Sequence, residues 1–119
     1  MLPYKRSQRV GDLLREEISD IIIYKLKDPR IGFVTVTGVD VTDDIKIAKV
    51  YVSILDDEHK EITLEILNSA KSFIRANLLK RLRMKSIPLI EFRLDTSIAY
   101  GDRIERLLKK IEEKGEGHR

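Results

Sequence analysis

The sequence contains no cysteine, which excludes disulfide frameworks and thiolate metal sites together. Tryptophan is also absent, and four tyrosines and three phenylalanines are the whole aromatic supply. No apolar run approaches the ~20 residues of a membrane span. The opening residues, Met1 to Arg6, lack the apolar core of a secretory signal. Side-chain amides are scarce as well: only Gln8, Asn68 and Asn77. Charged residues, at 36% of the chain, take their place, a bias seen in proteins from hot environments. These absences point to a soluble, cytoplasmic protein with no membrane attachment. Its 119 residues suffice for one domain that buries about two-thirds of its unfolded surface.

Catalytic groups are equally sparse. The two histidines, His59 and His118, lie far apart, with no ligand-like or acid–base spacing. The carboxylate runs Asp43-Asp44 and Asp56-Asp57-Glu58 read as turn formers and as a helix cap. Gly115-Glu116-Gly117 follows no strand and so makes no phosphate loop, and Ser97 lacks a G-x-S-x-G surround. The expectation is a protein with no enzymatic activity, no cofactor, no metal and no small-molecule substrate.

What the chain does have is segregated charge. The net charge of +3 is modest, but its distribution is not even. From residue 28 to 65 there are nine acids against four bases. From 66 to 90 there is no acid, yet six bases occur: Lys71, Arg75, Lys80, Arg81, Arg83 and Lys85. The chain-wide frequency would place about four acids there. The first ten residues repeat the bias with Lys5, Arg6 and Arg9. A charge run can be no more than a solvated helix face. A merely soluble helix, however, gains from Glu–Lys pairs four residues apart, which this stretch forgoes. A polyanion would offset the cost of gathering like charge.

Periodicity places these bases on elements. Ser7 is the expected N-cap of a first helix whose apolar positions are Val10, Leu13, Leu14, Ile18, Ile21 and Ile22, stopped by Asp28-Pro29. Residues 33–42 read as a strand whose phase slips at Gly38, so that a β-bulge there keeps Val34, Val36, Val39 and Val41 on one face. A turn at Asp43-Asp44 leads into a second strand, 46–55, with Ala48, Val50, Val52 and Ile54 inward. A helix with Ile62, Ile66 and Ala70 follows, then a kink, then a helix with Ile74, Leu78 and Leu82. Pro88 opens a third strand with Ile90, Phe92 and Leu94 inward. After Gly101 comes an amphipathic helix with Ile104, Leu107, Leu108 and Ile111. The expected fold is α+β, a three-stranded sheet with its helices on one face, as one domain over 6–111 followed by a flexible polar tail, 112–119.

At ~100° per residue, Lys80 and Arg83 lie opposite the Ile74/Leu78/Leu82 stripe, free to meet phosphates. Arg75 falls within the apolar arc and should snorkel at its edge. Phe33, Phe73 and Phe92 are assigned to the core. The outward sheet face then offers only Tyr51 with Thr35, Thr37 and Lys49, which argues for backbone and shape recognition rather than base reading.

Several stretches, in this order, add a resemblance. Arg6-x-x-Arg9-Val10 opens the first helix, and Lys27-Asp28-Pro29-Arg30-Ile31-Gly32 follows its end. Ala48-Lys49-Val50-Tyr51-Val52 lies in the second strand, and Phe73-Ile74-Arg75 lies past the kink. Asp95-x-Ser97-x-x-x-Gly101-x-Arg103-Ile104 introduces the last helix. From Arg6 to about Ile111 the chain closely resembles the bacterial ribosome-binding factor A family. The resemblance implies a type II KH-like domain of order α-β-β-α-(kink)-α-β-α, acting as a monomer on the immature small (30S) ribosomal subunit and its 16S rRNA. It further implies a non-catalytic assembly factor for late maturation and 5′-end processing of that RNA, with a role in cold adaptation. The family's Ala-x-Gly kink reads Ala70-Lys71-Ser72 here, so serine stands where glycine would. The RNA-binding set expected from charge and resemblance together is Arg6, Arg9, Lys71, Arg75, Lys80, Arg81, Arg83 and Lys85, with Ala70 and Ser72 at the kink. A protein–protein adaptor docking on ribosomal proteins through the open sheet face or an edge strand is the alternative.

Overall fold

The computed structural model describes residues 4–55 and 57–96. The expected last helix and tail lie outside the described residues. The chain runs α1 (Arg6–Asp20), β1 (Val34–Val41), β2 (Ile47–Ile54), α2 (Lys60–Ser69), α3 (Lys71–Arg81) and β3 (Leu89–Leu94).

Helix α1 starts two residues earlier than a Ser7 cap would allow. Lys5 is the N-cap, and its backbone N–H donates to Gln8 Oε1 at 2.8 Å. Ser7 is buried instead, on the same face as Gly11, Leu14 and Ile18. This spacing of three and four residues is one helical stripe. The α-helix gives way to a π-turn at Ile21–Lys25, well before Pro29, and the chain becomes extended at Leu26. Seating α1 on β1 requires a residue without a Cβ at position 11, where an added Cβ would come within 2.8 Å of the Val39 carbonyl oxygen.

Strands β1 and β2 pair antiparallel, and β2 and β3 pair parallel, in the order β1-β2-β3. The bulge lies where the valine phase places it: Val36 pairs with Val52, Gly38 pairs with Tyr51, and Thr37 is the extra residue. Val36 is buried, and Val34, Val39 and Val41 pack against the same core. Thr37 makes use of its irregular position, with its hydroxyl 2.6 Å from Asp95 Oδ2 and 3.2 Å from the Tyr51 carbonyl oxygen.

The helices cover one face of this sheet. Leu14, Ile18, Ile21, Val50, Val52, Leu67, Ile74 and Leu78 are fully buried there, with Ile90 and Phe92 from β3. Each large aliphatic side chain contributes on the order of 1.5–3 kcal/mol by leaving water. Two assignments shift. Helix α2 turns Thr63, Ile66 and Leu67 inward, leaving Ile62 49% exposed, because its packing on β3 sets its rotation. Phe33 and Phe73 are exposed at 80% and 44%, and only Phe92 is core. Phe33 has the opposite parity to Val34 and Val36 along the strand, and Phe73 stands ~100° from Ile74 around its helix. Asp57–His59 forms a 3₁₀ turn, and the N-cap is His59 without a side-chain cap bond.

The helix break falls at Ala70, whose φ of −92° and ψ of 8° leave the helical region. Its N–H is shared between the carbonyls of Ile66 and Leu67 at 3.0 and 3.1 Å. The serine whose hydroxyl bonds the backbone at the break is Ser69, donating to Ile66 O at 2.9 Å. Ser72 is exposed on the first turn of α3.

Candidate nucleic-acid interface

The acid-free stretch occupies the end of α2, all of α3 and the segment running into β3. The structure divides its bases into two groups.

Two of them are engaged by partners within the protein. Arg75 Nη2 donates to the Ile87 carbonyl at 2.9 Å, and its Nε is buried without a partner. That bond ties α3 to the approach to β3, so the guanidinium anchors the fold rather than snorkelling to the surface. Arg81 reaches across to α1, with Nη1 donating to Glu17 Oε2 at 3.1 Å and lying 3.8 Å from Asp20 Oδ2. Its counter-charge comes from another helix, which local charge counting along α3 cannot see. Both geometries argue against Arg75 and Arg81 as primary phosphate contacts.

The other cations are exposed or half-exposed. Lys71 stands at the first position of α3 and Lys80 on its last turn. Arg83 and Lys85 lie beyond the helix, because Leu82 is already extended, with φ −111° and ψ 141°. The helical-wheel position expected for Arg83 therefore does not apply; the loop decides where it goes. That loop carries Arg83, Met84 and Lys85 against Arg6 of α1 and Asp44 and Ile45 of the β1–β2 turn, and these six residues line one groove. Arg9 is exposed one turn further along α1. Among the described residues none of Arg6, Arg9, Lys71, Lys80, Arg83 and Lys85 pairs with a carboxylate.

The turn facing this groove is tightly specified. Thr42 Oγ1 lies 2.6 Å from Asp44 Oδ1 and accepts the Ile47 N–H at 3.1 Å, while the Ile45 N–H donates to the Thr42 carbonyl at 2.8 Å. The Thr42 hydroxyl, followed by the Lys46 N–H, holds the Asp44 carboxyl below its usual pKa. Ile45 sits at φ 59°, the one non-glycine residue with positive φ among those described. The sequence gives little sign of this, since β-branched residues disfavour that region.

Among the described residues no group of His, Asp and Glu could hold a metal ion, and no helix is long and apolar enough to cross a membrane. Fold and surface together define a small α+β domain with a three-stranded mixed sheet, helices on one face and, among the described residues, an excess of cations where α1 meets the α3–β3 segment.

The model of the ribosome-binding factor A family matches residues 6–108. The chain is 53% identical over 116 residues to ribosome-binding factor A of Thermodesulfovibrio yellowstonii, covering 98% of each chain. The solution structure of a Thermotoga maritima relative superposes with a TM-score of 0.72 at 36% identity, covering 82% of this chain and 94% of that one. A Thermus thermophilus ribosome-binding factor A, fitted into the cryo-EM map of its complex with the 30S subunit, gives a TM-score of 0.61 at 30% identity, covering 70% and 88%. This chain belongs to the ribosome-binding factor A family.

Proposed function

We propose that this protein is a non-catalytic assembly factor that binds the immature small ribosomal subunit as a monomer in the cytoplasm. In this reading it assists late maturation of 16S rRNA, including 5′-end processing, and supports growth in the cold. The observation that carries the proposal is the set of six cations, Arg6, Arg9, Lys71, Lys80, Arg83 and Lys85, that have no carboxylate partner among the described residues, on a member of this family. Such a set gains free energy from phosphates by releasing their condensed counterions. The fitted Thermus relative supports the choice of the 30S subunit as the source of those phosphates.

Co-sedimentation with purified small subunits tests the proposal. Binding should weaken steeply with salt, and Lys80→Glu combined with Arg83→Glu should abolish it while thermal unfolding stays cooperative. A salt-independent interaction would overturn the RNA reading. Exposed apolar side chains favour a protein contact as the second reading. Phe33 and Leu55 are 80% and 71% exposed and adjoin at the end of the hairpin, where the Leu55 N–H donates to Phe33 O at 3.4 Å. In that case binding would survive RNase treatment and fail on Phe33→Ser.

A further inference from the structure

We infer that the groove between the start of α1, the β1–β2 turn and the α3–β3 segment holds the sugar–phosphate backbone of RNA, with Ile45 as an apolar contact inside it. The inference rests on the proposed small-subunit binding and identifies the site on which that binding turns. Arg6, Arg83 and Lys85 line the groove against the single carboxylate of Asp44. Arg6 and the Arg83/Lys85 pair come from segments far apart in the chain, so only the fold brings them together. Asp44, held ionised by Thr42 and by the Lys46 N–H at 3.2 Å, offsets only one of the three positive charges. A phosphodiester strand meets such a cluster with the complementary charge.

Ile45 supplies the second observation. A β-branched residue in the left-handed region is strained, and Asn or Gly would occupy the same turn with less strain. What isoleucine adds is a half-buried branched apolar side chain in the groove, with Met84 also in the lining. Ribose and base faces are partly apolar, so a strand whose phosphates meet Arg6, Arg83 and Lys85 can lay a sugar or base against Ile45. A turn that served the hairpin alone would have no use for that side chain.

Two variants separate the roles. Ile45→Asn keeps a residue that tolerates the turn and removes the apolar surface. Arg6→Glu/Arg83→Glu/Lys85→Glu reverses the charge, and Lys71→Glu/Lys80→Glu is the comparison on α3. Binding to purified small subunits is measured across a salt series, with thermal unfolding alongside. The triple variant should lose at least about tenfold in affinity and lower the salt slope by about one for each contact removed. Ile45→Asn should lose about fivefold without a fall in Tm, comparable to a modest apolar contact. Wild-type affinity in the triple variant, with loss only in the α3 pair, would overturn the groove and leave the proposed function standing. Wild-type affinity in Ile45→Asn would remove the apolar contact. Absence of subunit binding by the unaltered protein would overturn the function and the groove together. Should Ile45→Asn unfold, Ile45→Gly carries the same comparison.

Discussion

Asn68 clamps Phe92 from both sides of its peptide: Phe92 N–H donates to Asn68 Oδ1 at 3.0 Å, and Asn68 Nδ2 donates to the Phe92 carbonyl at 3.3 Å. Strand β3 is an edge of the sheet, bonded to β2 alone. The side-chain amide thus occupies the site a further strand would use, which blunts the edge against strand addition. At the other edge, the β1 bulge disrupts the regular ladder in the same sense. Both features count against an adaptor that recruits partners by edge pairing.

Removing the clamp should therefore have two effects. Asn68→Ala leaves both Phe92 groups without their partner, at a cost of about 1–3 kcal/mol. It should lower the urea midpoint with little change in m-value. It should also promote concentration-dependent association in light scattering, because the freed edge can pair between copies. An unchanged midpoint would show that water replaces the amide without loss.

Gly11→Ala opposes two effects of known sign. Alanine favours a helix over glycine by about 1 kcal/mol. Against this, the new Cβ would sit 2.8 Å from Val39 O, a backbone atom that cannot turn aside. Helix α1 must then lift from β1, disturbing the contacts of Leu14 and Ile18. A clear drop in Tm is expected; a rise would mean that α1 has slack on the sheet.

Neighbouring bases on α3 should respond in opposite ways. Arg81→Ala removes the ion pair with Glu17 and should cost up to about 1 kcal/mol of stability, the range for partly exposed pairs. Subunit binding should fall little. Lys80→Ala should leave stability within about 0.5 kcal/mol and weaken subunit binding. Urea unfolding and co-sedimentation of both variants check the division between structural and binding cations.

Acid should act through the loop after α1. Arg30 holds the Asp28 carboxyl down from the ordinary 3.8 to about 2, first through its guanidinium, which donates to Asp28 Oδ2 at 2.7 Å, and then through its backbone N–H. A depressed carboxyl pKa contributes stability that is full above the unfolded value near 3.8 and is lost as pH falls towards 2. Asp28→Asn should therefore flatten the stability profile between pH 5 and 2. An NMR titration placing the Asp28 carboxyl near 3.8 would contradict the ion pair.

Much of the architecture was readable along the chain, because short-range periodicity and pleat determine it. The four valines of β1 implied the bulge at Gly38; β3 alternates as its apolar residues require, and β2 does so up to Val52, after which Ser53 is buried along with Ile54. The acid-free stretch located α3 and the segment after it. Those features depend on neighbours a few residues away. The fate of each cation does not. Arg81 is committed because Glu17 arrives from α1, and Arg75 because the Ile87 carbonyl lies beside it. Arg83 faces Arg6 and Ile45 because α3 ends at Arg81 and the loop redirects it. Phe33 is exposed because strand parity outweighs its hydrophobicity. Local pattern determined the elements and concentrated the charge. Only the tertiary structure decided which charges meet a counter-charge among the described residues, because a counter-charge acts through space over a few ångströms, whatever the separation along the chain.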